Sequence, residues 1–173
     1  EYTRWRDVAD AIRTLVVRGA PAIGCAAAFG VVLAARQSAA PDGDGLVADL
    51  EEAIKGLAGT RPTAVNLFWA LDRMRGVAEA HRSLPVPALR ERLLAEAQAI
   101  LDEDLAGNKA LGAHGAALVP ERARILTHCN AGALATAGFG TALGVIRAAH
   151  ERGRVALVWV DETRPVMQGS RLT

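Results

Sequence analysis

Apolar side chains recur at three- and four-residue intervals through most of the chain, and that spacing predicts a succession of helices. From Trp5 to Val17, the positions Val8, Ala9, Ile12, Leu15 and Val16 follow it, until Arg18-Gly19-Ala20-Pro21 interrupts. Pro21 suits the first turn of a following helix, where its missing N–H would have no helical partner. Ala22 to Gln37 is apolar nearly all round, which predicts a central, buried helix. Ser38 to Gly45, carrying Pro41, Asp42, Gly43 and Asp44, predicts a loop, and Leu46 to Leu57 a short amphipathic helix. Gly59-Thr60-Arg61-Pro62 repeats the earlier punctuation, with Pro62 opening a helix that bears Val65, Leu67, Phe68, Ala70, Leu71 and Met74 to about His81. Pro87 to Leu118 predicts one long helix or two shorter ones. Leu89, Leu93, Leu94, Ala97 and Ile100 lie on one face, and Gly107-Asn108 or Gly112 are candidate breaks.

After Pro120 the period changes. Arg124 to His128 is a short β-prone run, followed by Asn130-Ala131-Gly132 and a predicted long apolar helix to about Glu151. Val155 to Val160 predicts a second, buried strand, and Pro165 the opening of another helix. Strand, helix, strand, helix is the start of a parallel α/β layer. The expected fold class is therefore α/β: a mainly helical N-terminal domain over residues 1–120, then the first strands and helices of an incomplete Rossmann-like parallel domain over residues 121–173.

Composition narrows the function classes. Half of the 173 residues are apolar but only 4% aromatic, so the core is built from Ala, Val, Leu and Ile. The 20 basic and 19 acidic side chains nearly cancel, which removes the footprint of a nucleic-acid-binding surface. The uncharged runs Ala20 to Ala35 and Cys129 to Ile146 are broken by Gly, Pro, Asn or Thr and read as buried helices, so no membrane partner is expected. Cys25 and Cys129 form neither a disulfide framework nor a metal-ligand pattern, which places the expected compartment in the cytoplasm.

Four segments concentrate chemistry. Arg18-Gly19-Ala20-Pro21 puts a guanidinium beside a glycine turn at a helix start, a place where backbone N–H groups meet a phosphate; the same residues also suit a plain interhelical turn. Arg61 to Leu67 offers the same combination with Asn66 one turn into the helix, or merely a helix start capped by Thr60. Cys129 stands where a strand ends and a helix is expected to begin, the ligand-binding side of open α/β sheets; a small buried core cysteine fits the position equally well. Asp161-Glu162-Thr163-Arg164-Pro165 with Gln168-Gly169-Ser170-Arg171 lies at the end of the second strand, beside Cys129 if the strands pair in parallel. His128 and Cys129, as neighbours on an extended segment, point to opposite faces, so His128 reads as an orienting group. Cys25, among Ala26, Ala27 and Ala28, reads as structural.

Together, Arg18 to Gly24, Arg61 to Leu67, Thr127-His128-Cys129-Asn130-Ala131-Gly132, and Glu162 to Pro165 with Gln168 to Thr173 resemble the methylthioribose-1-phosphate isomerase family. Ribose-1,5-bisphosphate isomerases and regulatory subunits of initiation factor 2B belong to the same wider group. The resemblance implies isomerisation of 5-methylthioribose 1-phosphate in methionine salvage, by a homodimer, without cofactor or metal. It places Arg18, Gly19, Ala20, Arg61 and Gln168 around the substrate phosphate, and Cys129 at the carbons that exchange oxidation level. The alternatives it implies are ribose 1,5-bisphosphate or 5-deoxyribose 1-phosphate as substrate, or a non-catalytic subunit sensing a sugar phosphate or nucleotide. The family's general-acid aspartate and an Asn-Lys pair lie later than Gln168-Gly169-Ser170-Arg171-Leu172-Thr173, so no turnover is expected from these 173 residues alone. Ser170 stands where the family usually has alanine.

Overall fold

The computed structural model describes residues 1–173 and divides into two compact units, Glu1–Asp102 and Glu103–Thr173. The first is all helical: α1 (Trp5–Arg13), α2 (Ala20–Gln37), α3 (Gly43–Ala58), α4 (Val65–Ala80) and the first half of α5 (Val86–Leu118). The long helix crosses the unit boundary, whereas the expected division at residue 120 follows its end. Its candidate breaks do not occur. A Cβ on Gly107 would meet nothing within 4 Å, Asn108 is buried with its amide on Asp104 Oδ2 at 2.9 Å, and a Cβ on Gly112 would meet the Phe139 ring.

α2 is the centre of the first unit and touches α1, α3 and α4. Its apolar span is long enough to cross a membrane by length and composition, and 56% of it is buried within the protein. Ile12, Ile23, Leu46, Leu50, Ile54, Leu57, Leu67, Leu71, Met74, Leu89, Leu93 and Ile100 are fully buried, each contributing about 1.5–3 kcal/mol relative to exposure. Of the side of α5 expected to be apolar, Leu89, Leu93, Ala97 and Ile100 are buried in the core, whereas Leu94 is half-buried.

Helix ends differ from the sequence expectation where local hydrogen bonds decide them. α1 stops at Arg13, not Val17. Leu15 takes a left-handed φ of 64° and donates to Ile12 O, while Val17 donates to Ala11 O, which leaves Val16 exposed. Asp42 accepts from Gly45 N at 2.8 Å, so α3 begins at Gly43 instead of Leu46. Thr60 is not an N-cap: its buried hydroxyl donates to Leu57 O at 2.6 Å, closing α3, and Pro62 lies in the turn before α4.

The second unit holds two parallel strands, β1 (Ala123–Thr127) and β2 (Val155–Val160), with Thr127 paired to Val160. Between them runs α6 (Ala142–Glu151), and after them the short α7 (Gln168–Arg171). Ala116, Ala148 and Ala149 form the core, with Val119, Phe139 and Val155 against it. The fold class expected from sequence is thus found: a mostly helical region leading into a two-stranded parallel α/β layer. Two details are corrected. The long helix expected from Asn130 is instead an irregular segment with a 3-10 turn at Ala133–Ala135, and the helix starts at Ala142. Gly140, at φ 96°, bridges Gly132 so closely that a Cβ would lie 2.6 Å from the Gly132 Cα, and Thr136 Oγ1 accepts from Gly138 and Gly140. Strand β2 is not buried either, because a sheet of two strands leaves Leu157, Trp159 and Val160 uncovered; Arg124 lies over the Trp159 ring at 4.5 Å.

Candidate active site

In the first unit, the helices that follow the two Arg-containing turns touch near their starts. Gly19, at φ 101°, supplies the backbone that ends the turn after half-buried Arg18 and accepts from Ile23 N, starting α2 with Ala20. Half-buried Arg61 precedes the start of α4. Gly24, on the first turns of α2, approaches Asn66, the second residue of α4, so tightly that a Cβ there would sit 2.9 Å from the Asn66 carbonyl oxygen. Neither helix start carries a side-chain cap, in contrast to α3. The starts of α2 and α4, each preceded by an arginine and neither carrying a side-chain cap, thus meet through Gly24 and Asn66, and helix starts in general are places where anions bind.

In the second unit, Cys129 follows β1 in a left-handed conformation, φ 66°, at a cost of about 1–2 kcal/mol for a residue with a Cβ. Its side chain is exposed, which removes the reading as a buried core cysteine. Because α6 begins only at Ala142, no helix N-terminus backs the thiol as expected. Its neighbour is instead Gln168 at the start of α7: Cys129 Sγ donates to Gln168 Oε1 at 3.5 Å. The Thr163 hydroxyl donates to the same oxygen at 3.4 Å and accepts from Gln168 N at 3.3 Å. The parallel pairing of β1 with β2 therefore brings together the Cys129 segment and the Glu162–Arg171 segment, as the sequence reading required.

His128 lies against Asp161. Its Nδ1 lies 3.5 Å from Asp161 Oδ2 at the end of β2, and Asp161 N–H extends the ladder to Thr127 O at 2.9 Å. Asn130 Nδ2 donates to Thr173 Oγ1 at 3.1 Å, a second tie between the two loops. Cys25 is buried in α2. Individual roles for Glu162, Thr163, Asp161 and Asn130 were not legible in the sequence beyond a local density of polar groups.

The Glu162 carboxylate is engaged through both of its oxygens. Oε1 accepts from Thr163 N at 2.9 Å and Gly169 N at 2.8 Å, and Oε2 from Ser170 N at 3.1 Å. Desolvation pushes its pKa up, but hydrogen bonds from Ser170, Gly169 and Thr163 outweigh that and hold it below the usual carboxylate value.

Against known proteins, the chain is 57% identical over its whole length to the methylthioribose-1-phosphate isomerase of Geobacter sulfurreducens, covering 50% of that protein. To the enzyme of the same name from Heliobacterium modesticaldum it is 62% identical over 95% of its length, covering 48%. Among solved structures, 5-methylthioribose 1-phosphate isomerase from Pyrococcus horikoshii OT3 superposes with a TM-score of 0.91 at 47% identity, over 98% of this chain and 47% of that one. The translation initiation factor eIF-2B subunit delta from A. fulgidus superposes at 0.86 and 45% identity, over 99% of this chain and 50% of that one. The chain spans about half the length of the curated relatives it matches. The model of the initiation factor 2 subunit family matches residues 16–173, and the chain belongs to that family.

Proposed function

We propose that this chain supplies the phosphate-binding helix starts and the catalytic cysteine of an aldose–ketose isomerase that converts 5-methylthioribose 1-phosphate to 5-methylthioribulose 1-phosphate, a cytoplasmic homodimer serving methionine salvage. The observation that carries the reading is the exposed Cys129 thiol, held in a left-handed turn at the end of β1 against Gln168. Residues held in unfavourable backbone conformations cluster at active sites, and this supports a functional reading of Cys129. The names of relatives 57–62% identical supply the substrate.

In this reading Arg18, Gly19, Ala20, Arg61 and Gln168 bind the phosphate, and Cys129 acts at C1 and C2, the carbons that exchange oxidation level. The phosphate on C1 blocks simple ring opening, so the reaction needs proton donation at the ring oxygen and a site closed to water. Residues 121–173 are the start of the Rossmann-like layer that presents the thiol.

The second reading, a non-catalytic subunit sensing a sugar phosphate, is favoured by the likeness to the eIF-2B subunit. Cys129 separates the two, because a sensor needs the arginines but has no use for a thiol at the reacting carbon. The test is turnover of the intact protein with methylthioribose 1-phosphate and with ribose 1,5-bisphosphate, beside Cys129→Ser. Loss of turnover in Cys129→Ser, with sugar-phosphate binding retained, is expected. Wild-type turnover in that variant would remove Cys129 from the reaction, and binding without any turnover in the wild type would favour the sensor.

A further inference from the structure

We infer that Glu162 is a positioning residue that acts through Gln168 on Cys129. The inference rests on the reading of Cys129 and Gln168 as site residues and adds what holds them together. Gln168 belongs to α7, a helix of one turn whose own hydrogen bonds cannot fix it, since a single turn of helix is unstable in isolation. Its N-cap, Met167, has a left-handed φ of 56° and no side-chain hydrogen bond. The chain returns from β2 to Cys129 through a turn that must therefore be held from elsewhere.

The Glu162 carboxylate does this. It reaches forward from the end of β2 and gathers three N–H groups, those of Thr163, Gly169 and Ser170. The two residues that follow Gln168 are thereby fixed relative to the strand end that pairs with β1. Gly169 fits because a Cβ there would meet Asp161 O at 2.8 Å and Glu162 Oε1 at 3.3 Å. With residues 169 and 170 pinned, the backbone of Gln168 is held where its Oε1 accepts from both Thr163 Oγ1 and Cys129 Sγ. The carboxylate touches neither the thiol nor Gln168's side chain in any of these bonds; it sets where they meet.

The experiment is alkylation of Cys129 by iodoacetamide in the purified intact protein, followed on the Cys129 peptide by mass spectrometry. Gln168→Ala is expected to speed alkylation about two- to tenfold, the range set by one lost hydrogen bond. Glu162→Ala is expected to give the same factor, and the double variant no more than either alone, because both act on one contact. Amide exchange at Gly169 and Ser170 is expected to rise in Glu162→Ala but not in Gln168→Ala, which fixes the order of action. Glu162→Gln, which keeps the shape and one acceptor, is expected to fall between wild type and Glu162→Ala. Wild-type alkylation in Glu162→Ala, or a double variant showing the product of the two factors, would overturn the proposal. So would unfolding of both Glu162 variants, since Glu162 would then hold the unit rather than one turn. The coupling is read without substrate, so absence of isomerase turnover with the coupling intact counts against the proposed reaction alone.

Discussion

Alanine in place of Gly24 perturbs the close approach of α2 and α4 on which the proposed anion-binding arrangement depends. Two opposed effects set the magnitude. Within a helix, Gly→Ala gains roughly 1 kcal/mol from backbone entropy. Against this, the new Cβ would lie 2.9 Å from the carbonyl oxygen, 3.4 Å from the carbonyl carbon and 3.5 Å from the Cβ of Asn66. The first two are backbone atoms of α4 that cannot swing aside as the tip of a side chain would, so the helices must separate, and overpacking of this kind costs about 1–3 kcal/mol. The net expectation is a change from about neutral to about 2 kcal/mol of destabilisation. Gly76 in α4 is the internal control, because a Cβ there meets nothing within 4 Å and Gly76→Ala retains the full helical gain. Urea denaturation of both variants, followed by helical circular dichroism, is expected to separate them by about 1–3 kcal/mol. If Gly24→Ala stabilised the protein as much as Gly76→Ala, the helix starts would not be in contact and the reasoning about their shared anion would fail.

Arg90 donates from Nε to Ala35 O at 2.8 Å and from Nη2 to Ser38 O at 2.7 Å, satisfying carbonyls at the end of α2. Arg90→Ala is expected to cost about 1.5–3 kcal/mol in chemical denaturation, with fraying confined to the last turn of α2 by hydrogen exchange. Asp104 Oδ2 accepts from Ala137 N at 2.7 Å as well as from Asn108, tying the irregular segment before α6 to α5. Asp104→Ala is expected to cost about 1.5–3 kcal/mol and to raise amide exchange at Ala137. The pKa of Glu162 is lowered on folding, so its contribution is present above the ordinary carboxylate value of 4.5 and disappears as pH falls through the lower folded value. The Gly169 and Ser170 amide signals in a pH titration by NMR are therefore expected to hold steady at pH 5 and shift only in more acid solution. A shift centred above pH 5 would contradict the three hydrogen bonds.

The sequence by itself determined most of the helical and strand segments, most of the buried positions of α2, α4 and α5 though not the exposed Val65 and Phe68, the parallel order of β1 and β2, and the position of Cys129 at a strand end. These follow from the spacing of apolar residues, which is set by the periods of 3.6 and 2 that helices and strands impose on any chain. Only the tertiary structure decided where those segments stop and what surrounds the thiol. Cys129 to Ile146 is apolar and uncharged and reads as part of one helix reaching about Glu151, yet the Gly132–Gly140 bridge and the Asp104 contact to Ala137 hold its first part irregular. Thr60 looks like a helix cap until the packing of α3 turns its hydroxyl to Leu57. Glu162 reads as one charge among several, and its role exists only because the turn after β2 brings Gly169 and Ser170 back to it. Periodicity is a property of neighbours along the chain, whereas each of these bonds joins residues that folding brings together.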